Sequence, residues 1–535
     1  MDESRKQFEQ ALQAADDSLG RNDVDGALPH ISYLLKSHPN VAAGHMLMAR
    51  VHKSRGETRA CLDSANRAHR LAPDHPKISA FLAEAYVDLR LPEFALPLLL
   101  KAETLLPQDY HLNMALGRCY MLMEKGQLAR TAFESAVAAK VHPWLHAKAI
   151  LELASCLYDI GDSESANQLL DKLHLEYPDW TEVALLRGNN LSQPVPVWLE
   201  PALQKISNDN RQSPSIRARA LLRLGRCKEL NQQYDEAFEL WSSSRTLLGL
   251  EKHQSSRIAG RLEQTLALYT ANLFQRAKPY GVHDCSPIFV VGMPRSGTTL
   301  TAQILGAHRS CVNIGETNRF KLYDLAFRKE YSEPTHQLNM VEEFKGGALL
   351  KVANEFRKFF AVFTEENDKI IVDKSPLHFE SVGFIKLVFP DARIVHCRRH
   401  PADNFLSAFK NDMNRNHDYA YDQIAYVEQY MHQESTMRHW RSCFPGQVFE
   451  MRYEDTIADQ EGVTRRLLEF CGLSWDAACM TFYEQKNTIR TFSRSQVRQP
   501  VYSTSVGAWR RYGNRLGPLF SRLKELNYSY ETSCI

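Results

Sequence analysis

The chain has 535 residues, 44% of them apolar and 24% charged, too long for one hydrophobic core and sized for two or three domains. Its 65 Lys and Arg against 63 Asp and Glu leave a formal net charge of +2. That balance excludes bulk charge as a basis for nucleic-acid or membrane-surface binding, so any anion site must come from local placement of Arg and Lys.

The first residues, MDESRKQFEQ, lack the apolar stretch of a signal peptide. No run of 18 apolar residues predicts a membrane span. The 11 cysteines form no CxxC pair and no zinc-type set with His, so they read as reduced thiols of a cytoplasmic protein.

The first half repeats itself. Pro39, Pro73 and Pro107 are 34 residues apart, and Pro178 continues the series two units later with slight slippage. Small and aromatic residues recur at matching offsets: Ala83, Tyr86, Ala95 and Ala102, then Gly117, Tyr120, Ala129, Phe133 and Ala136. A further unit lies around Ala154, Gly161 and Ala166, and a weaker one near Gly225, Ala237 and Trp241. The pattern resembles the tetratricopeptide repeat, with two helices per unit, small residues where helices cross and Pro ending the second helix. It predicts about six units between 8 and 250, stacked as an α-solenoid with a concave face. The helical domain is expected over 1–275, with an irregular segment at about 191–214 where Pro and polar residues interrupt the period. Tetratricopeptide grooves usually hold peptides, which implies a protein partner.

The segment AKPYGVHDCSP (277–287) marks the border, and a second domain is expected over 285–535. There IFVVG (288–292), KIIVDK (369–374), RIVHCR (393–398) and VFEMRYE (448–454) read as buried strands, each followed by a helical pattern. That alternation predicts an α/β domain with a parallel sheet and helices on both faces.

The first strand runs into Gly292-Met-Pro-Arg295-Ser296-Gly297-Thr298-Thr299. The spacing Gly292-x4-Gly297-x-Thr299 is P-loop-like, and backbone N–H groups at the helix start would face an anion. Thr298 stands where the Walker lysine would be, and Arg295 brings a planar cationic fork earlier in the loop. The loop thus suits a phosphate ligand and disfavours ordinary ATP hydrolysis. Downstream, Arg399 and Ser407 lie eight residues apart across a strand–helix junction, with Pro401 in the first helical turn. Arg398 is adjacent, and spacing favours Arg399. No metal is expected, since no Asp, His or Cys cluster accompanies the loop.

PRSGTT after a hydrophobic strand is similar to the 5'-phosphosulfate loop of sulfotransferases that use 3'-phosphoadenosine 5'-phosphosulfate (PAPS). Arg399 and Ser407 match the 3'-phosphate motif of the same family. With the repeats, the plan resembles bacterial tetratricopeptide sulfotransferases, themselves similar to tyrosylprotein sulfotransferases. The resemblance covers about 285–525. It implies PAPS as co-substrate, held by Arg295, Ser296, Gly297, Thr298, Thr299, Arg399, Ser407, Tyr453 and Ser493. It implies Glu316, in CVNIGETNRF, as the base that deprotonates the acceptor. It implies Lys374, in KIIVDKSP, as a cation facing the departing phosphate, a task that Arg295 shares. Two family charges are missing, at Asn318 and Ala508, where Arg319 and Arg510 or Arg511 are the nearby replacements. The implied acceptor is a protein or peptide tyrosine, with a carbohydrate or small-molecule hydroxyl as the alternative. A non-catalytic repeat scaffold carrying a relic nucleotide domain is the rival reading.

Overall fold

The structure is a computed structural model and describes residues 2–191, 193–248, 255–317, 319–331, 334–363, 369–413, 415–485 and 496–530. It divides into two compact units, 1–169 and 170–535.

The first unit is built of antiparallel helix pairs. Successive pairs open at Ala42, Pro76, Tyr110 and Pro143, close to the 34-residue period. The recurring small residues mark helix crossings. A Cβ added to Gly117 would sit 2.5 Å from the Phe133 ring, so only glycine lets these two helices approach so closely. Repeat-equivalent positions also carry charges of alternating sign: Asp16, Arg50, Glu84, Arg118 and Glu152, each 34 residues from the last. Arg50 pairs with Asp16, and Arg118 lies 3.8 Å from Glu84 and 2.8 Å from Glu152.

The second unit holds a five-stranded parallel sheet: β1 (Ile288–Gly292), β2 (Cys311–Asn313), β3 (Ile370–Lys374), β4 (Arg393–Arg398) and β5 (Val448–Arg452), in the order β2-β3-β1-β4-β5. All of β1 is buried, which is why it reads as an unbroken apolar run. Ile288 and Val290 face one core with Ile304, Leu305 and Leu467, from helices Thr298–Gly306 and Gln460–Cys471. Phe289 and Val291 face the other with Phe356, Phe379, Val382 and Trp440. Helices therefore cover both faces, as the alternating pattern predicts.

Helical residues on the N-terminal side of the sheet also belong to this unit. Tyr269, Phe274 and Ala277 join the core around Trp440. Leu222, Phe238 and Trp241, from helices Pro214–Leu230 and Tyr234–Leu247, pack with Phe405, Leu406 and Phe409 of helix Pro401–Phe409. The compact units thus part at 169/170, whereas the sequence changes texture at 277–287. Among the described residues of the irregular stretch near 191–214, Leu199–Asn208 is helical. Among the described residues, no helix is long and apolar enough to cross a membrane.

Candidate nucleotide and transfer site

The site forms at the carboxyl ends of β3, β1 and β4, where the chain leaves β1 for β2 and β3 on one side and then crosses from β3 to β4 and β5 on the other. Open parallel sheets place ligands at such a point. The turn after β1 is held tightly. Gly292 has φ +152°, and a Cβ there would lie 2.4 Å from the Cys397 carbonyl oxygen of β4. Arg295 itself takes φ +70°, a strained conformation for a non-glycine residue. Gly297 caps helix Thr298–Gly306 with φ +99°, so the N–H groups of the first helical turn open onto the loop.

Arg295 turns toward β4 and its helix. Its Nε donates to Ser407 Oγ at 3.0 Å and its Nη2 to Gln496 Oε1 at 2.9 Å. Arg399 Nη1 donates to the Arg295 carbonyl at 3.1 Å, and Nη2 to the Ser505 carbonyl at 2.8 Å. The Arg399 guanidinium lies over the Tyr453 ring, 4.7 Å from its centre, and the Tyr453 hydroxyl meets Ser505 Oγ at 2.7 Å. Tyr453 opens helix Tyr453–Ala458; the strand ends at Arg452, two residues earlier than its sequence suggests. Burial, then the neighbouring Arg399 charge, lowers the Arg295 guanidinium to about 10.

Arg398 and Arg399 separate cleanly. Arg398, the last residue of β4, is buried and donates to Glu434 at 3.2 and 2.7 Å. Arg399 follows the strand and reaches the cavity. This cavity of ≈540 Å³ is lined by Arg295, Gly297, Arg399, Ser407 and Tyr453, and by Arg226 and Glu229 of the repeat helix. Two polar atoms here, Ser296 Oγ and Arg399 Nε, are buried without a hydrogen-bond partner among the described residues. Orphaned donors at a positive-φ loop fit a phosphate or phosphosulfate group. Thr298 and Thr299 are buried at the start of the loop helix.

Glu316 and Lys374 do not line that cavity. They meet one strand away, where Lys374 Nζ donates to Glu316 Oε1. Lys374 is buried, while the Glu316 side chain is half exposed and open to an approaching group. In the register Lys374 stands beside Val290 of β1, so the pair lies roughly one strand spacing, about 5 Å, from the line that leads into the phosphate loop. A small buried network fixes it. Asp373 accepts Thr317 Oγ1 at 2.6 Å and Ser375 Oγ at 2.8 Å, and Ser375 Oγ accepts the Thr317 N–H at 2.9 Å. The motifs single out neither Asp373, Thr317 nor Ser375; their only sequence signal is their place beside Glu316 and Lys374.

Burial pushes the Asp373 carboxyl up to about 7, against the lowering effect of its two hydroxyl donors and Lys374. The native state therefore holds a proton there that the unfolded chain releases near the ordinary aspartate value. The stabilisation is full below about pH 4 and is lost as pH rises toward 7. The unfolding free energy of Asp373→Asn, measured by urea titration, is expected to decline less over pH 4.5–7 than that of the parent, by up to about 1.4 kcal/mol per pH unit. Identical slopes would mean that Asp373 does not titrate in this range.

Arg319 packs over the Phe359 ring at 4.1 Å. Arg511 lines the cavity, whereas Arg510 lies over Trp509 at 5.1 Å. Trp509 stacks on His400, 5.6 Å between ring centres, and its backbone N–H donates to Asp403 at 2.9 Å, which anchors this segment. Ser493 and Asn318 lie outside the described residues. Sequence motifs do not point to Arg226, Glu229 or Lys410, which reach the cavity through tertiary packing.

Residues 287–477 match the model of the sulfotransferase family, and residues 148–179 match that of the tetratricopeptide repeat. An uncharacterized protein of Aquifex aeolicus (strain VF5) is 30% identical over 390 residues, 71% of this chain and 50% of its own length. Protein-tyrosine sulfotransferase A of Caenorhabditis elegans is 24% identical over 206 residues, 37% of this chain and 52% of its own length. The chain spans about half the length of the curated relatives it matches. The sulfotransferase domain of the Synechococcus PCC 7002 olefin synthase aligns with 46% of this chain and 96% of its own, at 17% identity and a TM-score of 0.33. The chain thus carries tetratricopeptide-repeat helices and, over residues 287–477, a domain of the sulfotransferase family.

Proposed function

We propose that this chain is a cytoplasmic sulfotransferase that moves a sulfuryl group from PAPS to an acceptor hydroxyl. One observation carries the reading: Arg295 and Arg399, just past the ends of adjacent strands, line one cavity with Ser407, and Ser296 of the same loop has a buried Oγ without a hydrogen-bond partner among the described residues. Two guanidiniums in one cavity suit a donor with two separate phosphates better than a single nucleoside phosphate.

In this reading the loop Arg295–Thr299 holds the 5'-phosphosulfate, and Arg399 and Ser407 hold the 3'-phosphate. Tyr453 packs against the nucleotide, and Ser493 is assigned a contact by its motif. The acceptor oxygen forms a bond to sulfur as the bond from sulfur to the 5'-phosphate oxygen breaks. The acceptor proton passes to the Glu316 carboxylate. The departing oxygen keeps the electron pair, and Lys374 and Arg295 stabilise the charge that grows on it. The products are a sulfate ester and adenosine 3',5'-bisphosphate.

Protein or peptide tyrosine is the first acceptor to test, supported by the similarity to protein-tyrosine sulfotransferase A and by repeats of a type that holds peptides. The reading is tested by calorimetric titration with adenosine 3',5'-bisphosphate, followed by transfer of labelled sulfate from PAPS to tyrosine peptides. Bisphosphate binding tighter than that of ATP is expected. Tighter ATP binding, or no bisphosphate binding, would overturn the reading.

A further inference from the structure

The cavity is not built by the sheet domain alone. Helix Pro214–Leu230 sends Arg226 and Glu229 into it, and Lys410 enters from the chain just past helix Pro401–Phe409. Lys410 is three residues after Ser407, so both lie on one side of the same turn. The Glu229 carboxylate accepts from Lys410 Nζ at 2.8 Å, from the Tyr512 hydroxyl at 2.8 Å and from Arg226 Nη1. Three donors on one carboxylate hold all three side chains in place. Burial alone would raise this carboxyl, but Lys410 and Arg226 carry it down to about 2, so it stays charged.

The charge count in the cavity is uneven. Its cations are Arg226, Arg295, Arg399, Lys410 and Arg511, and its carboxylates are Glu229 and Asp403. Asp403 is committed to the backbone, accepting the N–H groups of Gly507 at 2.6 Å and Trp509 at 2.9 Å. Glu229 therefore faces two cations by itself. The Arg226 side chain remains 41% exposed, with donors left for a ligand.

The same helix is bolted to the Ser407 segment. Arg219 and Arg223 reach Asp412 at 2.8 and 3.4 Å. Arg245, from the next helix, donates to the carbonyls of Phe409 and, at 2.7 Å, Asn411, at and just past the carbonyl end of the Ser407 helix. The position of Arg226 relative to Ser407 is thus fixed by direct contacts.

We propose that Arg226 and Lys410 extend the 3'-phosphate grip of Arg399 and Ser407, so that the last helical repeat is part of the nucleotide site. The inference rests on the sulfotransferase reading above and adds to it a specificity role for a repeat residue. Glu229 acts as the positioning residue that keeps the two cations apart and aimed. A terminal phosphate carries a charge of about −2, and Arg226, Lys410 and Arg399 against the single Glu229 carboxylate leave enough positive charge to meet it.

The test uses the full chain and two ligands, adenosine 3',5'-bisphosphate and adenosine 5'-monophosphate, titrated calorimetrically. Arg226→Gln and Lys410→Gln each remove a charge and keep polar reach. Each is expected to weaken bisphosphate binding about tenfold, the loss of roughly one charge-assisted hydrogen bond. Binding of the monophosphate should change by less than about twofold. Lys228→Gln, on the same helix but outside the cavity, should leave both affinities unchanged, because its partly exposed contacts with Glu200 and Glu236, both at 3.7 Å, contribute little. The two cavity variants are independent, so a folding defect in one leaves the other to decide. Unchanged bisphosphate affinity, equal loss for both ligands, or an equal loss in Lys228→Gln would overturn the inference. If the parent chain binds neither ligand, the sulfotransferase reading falls first and this inference with it.

Discussion

Replacing Glu316 with Gln is expected to cut turnover by about 100- to 10,000-fold, the range for loss of a general base, while bisphosphate affinity stays within about twofold. The separation follows from the geometry. Glu316 is paired with Lys374 at the end of β3 and is absent from the nucleotide cavity, so its loss should be felt by the acceptor and not by the bound product. Gln keeps the shape and one acceptor oxygen but cannot take a proton at neutral pH. It also leaves the buried Lys374 ammonium without its counter-charge, which loosens the hold on the cation that supports the leaving group. Both consequences lower the rate of transfer and neither touches Arg295 or Arg399. Steady-state kinetics beside a product titration would separate them. Full turnover in Glu316→Gln would take this residue out of the mechanism.

The second large effect is expected at the paired guanidiniums. Arg399→Ala and Arg295→Ala should each weaken adenosine 3',5'-bisphosphate binding by about two orders of magnitude, as when one partner of a buried charged contact is truncated. Arg295 sits half-buried close to Arg399, and that crowding, with burial, already lowers its proton affinity. An anion between them relieves the repulsion, so each arginine contributes to binding by more than its own hydrogen bonds. Arg295→Lys should restore little, because a point charge cannot keep bonds to Ser407 and Gln496 while facing a ligand. Calorimetry against the parent chain measures the loss. Parent-like binding in Arg399→Ala would show that the 3'-phosphate is held elsewhere.

The sheet's central strands are legible because burial on both faces favours apolar residues, unbroken in IFVVG and still present as Ile394, Val395 and Cys397 in RIVHCR. The repeats are legible because one crossing geometry recurs every 34 residues and demands small residues each time, as at Gly117. β2 is not legible: three residues, Cys311–Asn313, are too few to show a pattern. Spacing favours Arg399 over Arg398 but cannot separate neighbours, whereas the fold divides them by whether the side chain falls inside β4, against Glu434, or just beyond it. Arg226 and Glu229 are invisible for a different reason. They lie about seventy residues before the phosphate loop in a stretch that reads as ordinary repeat helix, and only packing against Phe405 and Phe409 brings that helix to the cavity.

The alternating charges at positions 16, 50, 84, 118 and 152 carry a parity rule for the array. Each exposed pair contributes little by itself, but every neighbour in the row is of opposite sign. Excising one 34-residue unit would set two like charges side by side, whereas excising two would restore opposites. Shortened arrays built from the first unit should thus accept losses in even steps more readily than in odd ones. The row would act as a phase mark that discourages recombination by a single repeat.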